Sequence, residues 1–348
     1  MAKRWLYLVL GVVGLLCIGV LYAWSIMKVP LAEEFGFSDT TLATAYTISM
    51  IFFCIGSIVS GVLSKKISFQ KLLLCGGILI LCGFVLLSGM RQSSVLWMSI
   101  FYGVLVSLGI GIAYNVLISE VTAWFPDMRG LCSGILMMGF GASAMVIGQV
   151  VTPLFQDSGT GWRRVYFFFG ILCFLVLLLC AILLHTPKRS AGAETPVDMK
   201  GLTAKETMRK PSFWIFYLYG AAGAAIGSTI ISFARDFALS VGISAAGAVL
   251  LVGVLSICNG VGRIICGFFY DRFGGRISVR MIALLTVFVP AILLGALASK
   301  SSLLLTIGFS LAGITYGSYP TVSASFISEE YGRKDFSINY SVSNSKLL

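Results

Sequence analysis

Long apolar runs separated by short polar stretches dominate the chain from its first residues. Each run is about as long as the 20 apolar residues that an α-helix needs to cross a bilayer. A transmembrane β-barrel would instead show short segments of alternating polarity, and these runs are unbroken. The pattern predicts an all-α integral membrane protein with ten spans, at residues 4–27, 41–63, 71–90, 96–123, 130–152, 163–186, 212–234, 245–269, 278–298 and 302–327.

The composition agrees with this pattern. Hydrophobic residues make up 58% of the 348 residues and charged residues 11%, whereas a soluble domain has roughly 25% charged residues. Too few polar groups remain to cover a water-exposed surface, so the predicted solvent is a lipid bilayer. The net charge of +11 could indicate a nucleic-acid partner. The basic residues lie in short loops between the apolar runs, however, which argues against nucleic acid.

The loops also predict the orientation of the chain. Cytoplasmic loops of membrane proteins carry an excess of Lys and Arg. With the N-terminus inside, most of the 25 Lys and Arg residues fall on the inside. We therefore predict a multi-pass protein of the inner (plasma) membrane with a cytoplasmic N-terminus. The first run is too long for a cleaved signal peptide and is predicted to remain as the first span.

The longest polar stretch, residues 187–211, divides the ten spans into six and four. Glycines five residues apart end the second span (Gly56 and Gly61) and the eighth (Gly262 and Gly267), and each pair leads into a basic inside turn. A repeat of this length is typical of transporters built from two similar halves. The predicted domains are an N-terminal six-helix bundle (1–186), a cytoplasmic linker (187–211) and a C-terminal bundle (212–348).

Six spans followed by four do not complete a symmetric pair. We therefore expect the second bundle to be truncated after the tenth span, with an eleventh helix starting where the chain ends. The alternative is a protein that has ten helices only.

No residue pattern indicates an enzyme, a cofactor or a metal site. The sequence has neither a phosphate-binding glycine loop nor a nucleophile elbow, and its nine cysteines show no spacing typical of metal ligands or disulfides. The single histidine, His185, stands alone at a helix end. Without a nucleotide site, transport has to be driven by gradients or by exchange.

Arg263 is the most informative residue. It lies eight residues before Asp271, so about 12 Å from the inner end of its span and close to the midplane of a hydrocarbon core about 30 Å thick. A charge at that depth is costly and usually faces the interior of a bundle. Ser256, Asn259 and Arg263 share one helix face. This face predicts either a site for an anionic substrate or a structural ion pair, and no acid lies at comparable depth.

Four tyrosines and one acid are further candidates. Tyr114, Tyr316 and Tyr319 lie too deep for the interfacial belts that account for many membrane tyrosines. They are therefore predicted to line a cavity, whereas Tyr22 is noted here for its Gly-rich stretch in the first span. Glu120 lies within about 9 Å of the inner end of the fourth span, where it could pair with a base, cap an inner gate or relay protons.

Several stretches resemble the oxalate:formate antiporter family, a branch of the major facilitator superfamily near the monocarboxylate transporters. The resemblance covers essentially the whole chain, and the turn WFPDMRG at 124–130 is its most specific piece. The other similar stretches are 19–25 (GVLYAWS), 109–114 (GIGIAY), 139–141 (GFG), 259–263 (NGVGR) and 271–274 (DRFG).

The resemblance implies a major facilitator fold with two six-helix bundles around a carboxylate site. The arginine of the family's eighth helix falls on Arg263, and its cavity aromatics fall on Tyr22, Tyr114 and, nearby, Tyr316 and Tyr319.

Two positions depart from the family pattern. A cavity tyrosine of the family falls on Phe140, which lacks the hydroxyl. The lysine of the family's eleventh helix falls about one residue beyond Lys346, and one residue turns a side chain by about 100°. The resemblance therefore does not assign Lys346 to the cavity. A monocarboxylate, which needs one cation, fits at least as well as oxalate.

Together these observations predict a secondary transporter that moves a small mono- or dicarboxylate by alternating access, as a monomer in the bilayer and without a cofactor. Arg263 and Asn259 are expected to bind the substrate. Inside residues expected to stabilise one gate state are Lys65, Lys66, Arg129, Asp271 and Arg272.

Three alternatives stay open at this point. Exchange and proton symport are not separable from the sequence. A non-transporting membrane sensor or binding protein on the same fold would favour a large soluble signalling domain, which the sequence lacks. A membrane enzyme would need a cluster of polar catalytic residues, whereas the polar residues seen here are isolated.

Overall fold

The computed structural model describes residues 2–156, 161–186 and 201–347. Within these ranges the chain is almost entirely helical, and no strand forms beyond one isolated bridge between Gly201 and Gly332. The helices before residue 187, here called the N-terminal helices, are α1 (Ala2–Ile18), α2 (Trp24–Met27), α3 (Val29–Phe35), α4 (Asp39–Leu63), α5 (Phe69–Ser88), α6 (Val95–Met98), α7 (Ser107–Thr122), α8 (Arg129–Gln156) and α9 (Gly161–Leu183).

The helices after residue 200 are here called the C-terminal helices. They are α10 (Ala204–Met208), α11 (Pro211–Ser240), α12 (Ala245–Phe273), α13 (Gly275–Ser299), α14 (Ser302–Glu330) and α15 (Phe336–Asn344). Short stretches of other helical geometry complete the chain: 3-10 turns at Gly19–Leu21 and Ser345–Leu347, and a π-helical stretch at Ser99–Val106 that joins α6 to α7.

In the described part of the chain, nine helical segments are long and apolar enough to cross a bilayer, and they correspond to the first nine predicted spans. The tenth predicted span forms the 29-residue helix α14. Most serines and threonines of α14 are buried against other helices, and several, such as Thr315 and Ser318, bond to carbonyls one turn earlier. The polarity of α14 reflects its central position. The prediction of an all-α integral membrane protein is confirmed.

The first predicted span is not one continuous helix. Between α1 and α2 the chain passes through the 3-10 turn Gly19–Leu21 and two further residues. The break occurs where Gly19 touches α8, because Ser143 Oγ donates to the Gly19 carbonyl at 2.5 Å and a Cβ at Gly19 would lie 2.5 Å from the Phe140 carbonyl oxygen. The same carbonyl also accepts from the Tyr22 amide at 2.9 Å, so the break does not leave it unpaired. Tyr22 follows directly after this turn.

α8 and α12 cross with their backbones in contact. A Cβ at Gly130 would lie 2.5 Å from the Gly267 carbonyl oxygen, and a Cβ at Gly134 would collide with the Arg263 carbonyl. Glycine permits such an approach between membrane helices. The crossing joins an N-terminal helix to a C-terminal helix and places Arg263 at the junction between them.

Residues 187–200 of the predicted linker (187–211) lie outside the described residues. The residues that follow are docked on the loop after α14. The Leu202 amide donates to the Tyr331 carbonyl at 2.9 Å, and α10 starts with a capping box formed by Thr203 and Glu206. We call this end of the molecule the linker end. The assignment of residues 1–186 and 212–348 to two bundles stays a prediction.

A further helix follows the tenth span. The symmetry argument expects an eleventh helix near the end of the chain, but the apolar pattern shows no span here because five of the nine residues of α15 are serine or asparagine. Most of them are nevertheless buried. Ser341 bonds to Ser57 of α4, with 2.8 Å between the two hydroxyl oxygens. α15 thus packs its polar face on an N-terminal helix.

Candidate functional site

A cavity of about 500 Å³ lies between the N-terminal and C-terminal helices. Thr47, at its mouth, is exposed and lies 16 residues before Leu63, the last residue of α4 at the linker end. The mouth is therefore about 24 Å from that end, and the cavity opens on the opposite side. The residues that line it are Leu21, Tyr22, Tyr46, Thr47, Met50, Ile51, Phe53, Cys54, Phe140, Ser228, Arg263, Tyr316, Pro320 and Asn344.

Arg263 contributes a buried guanidinium to this cavity, with 7% of the residue exposed. Its Nη1 donates to the Met137 carbonyl of α8, and its Nη2 donates to Asn259 Oδ1 at 3.2 Å. Nε has no hydrogen-bond partner within the described protein. No carboxylate of the described residues forms an ion pair with Arg263. The charge is thus held by neutral acceptors beside an open cavity.

Asn259 acts on the guanidinium from one turn earlier on α12. Its side-chain oxygen accepts from Arg263, and a Cβ at Gly317 of α14 would collide with its backbone carbonyl. Ser256, on the same predicted face, is exposed and donates to the Val252 carbonyl instead. Among the three residues of this face, Arg263 lines the cavity, and Asn259 orients the Arg263 guanidinium.

Two of the four predicted tyrosines line the cavity. Tyr22 packs edge-on against Phe140, with ring centroids 5.2 Å apart, and Tyr316 lines the opposite wall. Tyr114 is buried behind Phe140, and its hydroxyl bonds to the Tyr340 hydroxyl at 3.0 Å.

Tyr319 points away from the cavity. Its hydroxyl bonds to the Thr286 hydroxyl of α13 at 2.6 Å, and its ring lies against Gly223 of α11. The two neighbouring tyrosines of α14 therefore lie in different environments, because Tyr316 packs beside Gly227, one turn further along α11.

Lys346 is buried and is not among the residues that line the cavity. Its Nζ donates to Ser323 Oγ at 2.7 Å and to Ser343 Oγ at 3.2 Å. Asn344, two residues earlier, lines the cavity instead. The cavity thus has one cationic side chain among its described lining residues, Arg263.

Asp271 forms the clearest contact at the linker end. Its two carboxylate oxygens accept from the Gly130 amide at 2.9 Å and from the Leu131 amide at 2.8 Å. These amides belong to the first turn of α8, where helix amides lack internal partners and a negative charge is favoured. Asp271 therefore ties α12 to the start of α8. Arg272, its neighbour, is exposed and makes no hydrogen bond or ion pair within the described residues.

An ion pair forms a second contact between N-terminal and C-terminal residues at the linker end. Lys65 Nζ lies 2.7 Å from Asp335 Oδ1, while Asp335 Oδ2 accepts from the Ala204 amide of α10 at 2.8 Å. Burial alone would raise the pKa of Asp335, but the hydrogen bonds from Lys65 and Ala204 outweigh it, and the pKa lies below its ordinary value. Arg129 Nη1 donates to Ser328 Oγ at 3.1 Å. Lys66 is exposed and makes no such contact among the described residues.

Neutral hydrogen bonds continue this closure toward the middle of the molecule. Ser119 bonds to Ser337, with 3.0 Å between the hydroxyl oxygens, and Asn115 Nδ2 donates to the Ser337 carbonyl at 3.4 Å. The linker end is therefore closed by polar contacts between N-terminal and C-terminal helices, and the cavity opens at the other end. Glu120 accepts from Thr186 Oγ1 at 3.4 Å and lies close enough to Arg333 for their charges to interact, while Arg333 Nη2 donates to the Ser119 carbonyl at 3.2 Å.

Several lining residues were not predicted from the sequence. Tyr46, Met50 and Cys54 face the cavity from α4, Ser228 from α11 and Asn344 from α15. A signal was present on α4, since these three residues recur at intervals of four and share one helix face. The sequence interpretation used α4 only for the repeated glycine pair, Gly56 and Gly61.

Comparisons with known proteins show what the chain is similar to. The sequence profile of the Major Facilitator Superfamily matches residues 9–345. YhjX, an uncharacterized MFS-type transporter of Escherichia coli (strain K12), is 27% identical over 97% of this chain and 83% of its own length. The oxalate:formate antiporter of Oxalobacter formigenes is 25% identical over 97% of this chain and 80% of its own length.

A solved structure matches as well. The proton:xylose symporter XylE, bound to 6-bromo-6-deoxy-D-glucose, superimposes with a TM-score of 0.71 at 15% identity, covering 99% of this chain and 86% of that one. At this identity the likeness concerns the fold. The predicted major facilitator fold and the predicted resemblance to oxalate:formate antiporters are both confirmed.

Proposed function

Because the chain belongs to the major facilitator superfamily, we propose that it is a secondary transporter of a small organic anion, a mono- or dicarboxylate, that works by alternating access. Membership in this superfamily makes the chain a multi-pass membrane transporter. The anionic substrate is the proposal. Transport of this kind needs no cofactor and no enzymatic step.

The observation that carries the proposal is the buried guanidinium of Arg263, which has neutral hydrogen-bond acceptors but no carboxylate partner among the described residues. Arginine stays charged at any physiological pH, and a charge inside a membrane protein costs several kcal/mol unless it is compensated. Within the described residues no carboxylate supplies that compensation. A carboxylate entering the cavity would provide it, because its two oxygens match the fork of the guanidinium.

The likeness to a protein named oxalate:formate antiporter supports the same substrate class. The other lining residues are mainly apolar or aromatic, with the hydroxyls of Tyr22 and Tyr316 and the amide of Asn344 among them. A cavity with one cation and a lining of both apolar and polar side chains suits a monocarboxylate at least as well as a dicarboxylate. Tyr114 supports this lining from behind Phe140.

Alternating access follows from the position of the closure. We propose that residues 1–186 and 212–348 are the two moving bundles and that the chain acts as a monomer, since one chain surrounds the cavity. The excess of basic residues places the linker end and the N-terminus in the cytoplasm of a plasma (inner) membrane. The structure then corresponds to a state that is open to the outside.

Transport by purified protein tests this function. Proteoliposomes preloaded with unlabelled carboxylate would be supplied with radiolabelled formate, lactate or oxalate. We expect the wild-type protein to take up at least one of them. Arg263→Gln should reduce uptake at least tenfold, a loss of about 1.4 kcal/mol in transition-state or binding free energy. Arg263→Lys should restore part of the activity, because the charge remains while the fork is lost.

The matched control is Arg91→Gln, which removes an exposed arginine between α5 and α6. It should transport like the wild type. Undiminished uptake by Arg263→Gln would contradict the assignment of the anion site. Absence of carboxylate transport by the wild type would sink the proposed substrate class.

A further inference from the structure

Lys346 is a buried amine that the proposed anion site does not use. Its Nζ contacts two hydroxyls, Ser323 Oγ at 2.7 Å and Ser343 Oγ at 3.2 Å, and lies 4.4 Å from the centroid of the Phe216 ring. Its stem lies against Gly220, where a Cβ would be 2.6 Å from Lys346 Cδ. The surrounding residues thus form a fitted pocket for this side chain.

No acid faces this amine. Lys346 packs against α11 and α14, and these helices carry no charged residue between Pro211 and Phe233 or between Ser302 and Ser328. α15 itself carries none. Within the described residues no carboxylate forms an ion pair with Lys346.

Within these stretches the titratable groups are tyrosines, and of those on α14 Tyr316, which lines the cavity, makes no hydrogen bond within the described residues. On α11, the Tyr217 hydroxyl bonds to Ser345 Oγ at 3.2 Å and the Tyr219 hydroxyl donates to the Val279 carbonyl at 3.2 Å. On α14, the Tyr319 hydroxyl bonds to Thr286. The charge of a protonated Lys346 is therefore uncompensated by any acid around it.

The contacts of Lys346 suit both of its protonation states. A neutral amine keeps two N–H groups, enough to donate to both serines, while Ser323 Oγ donates its own hydrogen to the Tyr319 carbonyl at 2.7 Å. The Phe216 ring attracts the cation, whereas burial disfavours it. Lysine loses its proton readily when buried, in contrast to arginine. The ring thus favours the charged form of Lys346 and burial favours the neutral form. The amine can therefore gain or lose a proton while it keeps the same hydrogen-bond partners.

Polar groups connect Lys346 with both sides of the molecule. Asp335, Asn339 and Ser343 follow at intervals of four residues, so they form a stripe from the linker end to Lys346. Asn339 is fully buried, and its side-chain amide makes no hydrogen bond within the described protein. On the other side, Asn344 lines the cavity and its Oδ1 is likewise unpaired. Buried polar atoms without protein partners are typical binding sites for ordered water.

We propose, on the basis of the proposed function, that Lys346 is the proton-binding residue that couples carboxylate transport to proton transport. The neutral amine takes up one proton to become an ammonium group when the anion binds at Arg263, and it returns that proton on the opposite side of the membrane. Anion and proton therefore move together in the same direction.

Charge balance across the transport cycle supports this coupling. The empty site with a neutral Lys346 carries one positive charge, on Arg263. The loaded site carries Arg263, a protonated Lys346 and one monocarboxylate, and its net charge is the same. The two forms that must reorient therefore face the same electrostatic cost of burial, which an anion moving without a proton would change by a full unit charge.

The test compares two modes of transport in proteoliposomes. Exchange is measured at equal pH with radiolabelled formate, lactate or oxalate, whichever the wild type exchanges. Accumulation is measured with the outside made acidic. We expect the wild type to accumulate label by up to about tenfold per pH unit. Lys346→Arg keeps the charge but cannot lose the proton, so it should retain exchange and lose the pH-driven accumulation. Lys71→Gln, an exposed lysine of α5, should behave like the wild type.

A binding measurement keeps the proposal testable if the variant transports poorly. Purified wild-type protein in weakly buffered detergent should take up about one proton per bound carboxylate, seen with a pH-indicator dye, and a folded Lys346→Arg should take up none. Accumulation by Lys346→Arg equal to that of the wild type, or wild-type exchange and binding without any proton uptake, would overturn the role of Lys346. Failure of the wild type to bind or move any carboxylate would instead overturn the proposed function.

Discussion

Gly141 of α8 lies directly against the guanidinium of Arg263 in α12: a Cβ at Gly141 would be 2.7 Å from Nη1 and 2.8 Å from Cζ. Gly141→Ala should therefore displace the guanidinium without removing its charge. We expect the KM for the carboxylate to rise about tenfold, equivalent to about 1.4 kcal/mol. Uptake in proteoliposomes at several substrate concentrations measures this change.

The chain offers a matched control for this substitution. A Cβ at Gly295 of α13 would have no heavy atom of the described residues within 4 Å, so Gly295→Ala adds the same methyl group in open space. It should leave KM unchanged. An unchanged KM in Gly141→Ala would show that the position of the guanidinium does not govern substrate binding.

The two tyrosines of α14 should respond differently to loss of their hydroxyls. Tyr319→Phe breaks the bond to Thr286 and should lower the free energy of unfolding by about 1 kcal/mol, with little change in KM. Tyr316 lines the cavity and bonds to no other described residue, so Tyr316→Phe should raise KM and leave Tm unchanged. Thermal unfolding in detergent and uptake kinetics measure the two effects. The opposite result would exchange the roles assigned to the two residues.

Asp271 should protect the first turn of α8 from hydrogen exchange. Its carboxylate accepts from the amides of Gly130 and Leu131. Asp271→Ala should speed exchange at these amides about tenfold or more, as expected for the loss of more than about 1.4 kcal/mol of protection. Mass spectrometry of peptides covering residues 129–135 reads this out. Arg272→Ala, which removes an exposed charge, should leave the exchange rate unchanged, and equal effects of the two variants would contradict a specific cap.

Acidification should weaken the contact between Lys65 and Asp335. The pKa of Asp335 is lowered in the folded protein, so its stabilising effect is complete above the unfolded value of about 3.9 and is lost as the pH falls through the folded pKa. The difference in Tm between the wild type and Asp335→Asn should be constant from about pH 7 to pH 5 and should shrink below about pH 3.9. A difference that already shrinks between pH 7 and pH 5 would contradict this account.

Asp39→Asn provides the comparison for that titration. Asp39 pairs with Lys28 at 3.4 Å, but its side chain is 97% exposed. Exposed pairs contribute roughly 0–1 kcal/mol, so Asp39→Asn should change Tm less than Asp335→Asn at pH 7.

The sequence predicted the membrane fold well because hydrocarbon imposes a simple rule on it. A run of about 20 apolar residues has few alternatives to a spanning helix. The pattern failed where contacts, rather than lipid, determine the backbone. The break at Gly19 depends on Ser143 and Phe140, which lie over 120 residues away. α15 is polar because it is buried among other helices, so its hydropathy does not indicate a membrane helix.

The candidate site was predicted only in part for a related reason. The depth of Arg263 could be counted along one helix, and the structure places it in the cavity. Whether Tyr316 or Tyr319 faces that cavity depends on Gly227 and Gly223 of α11, which no pattern within α14 reveals. The direction of Lys346 likewise depends on the pocket formed by other helices.

The crossing of α8 and α12 has a mechanical consequence. Gly130 and Gly267 place backbone against backbone, so these two residues present no side chains that interlock. Interlocked side chains would have to withdraw and refit whenever two helices turn over each other, whereas smooth surfaces can turn without that step. For the two bundles proposed above, the crossing can serve as a pivot once the contacts at the linker end, including that of Asp271 with α8, break. Larger side chains at Gly130 or Gly267 should slow the conformational change and leave the affinity for the substrate unchanged.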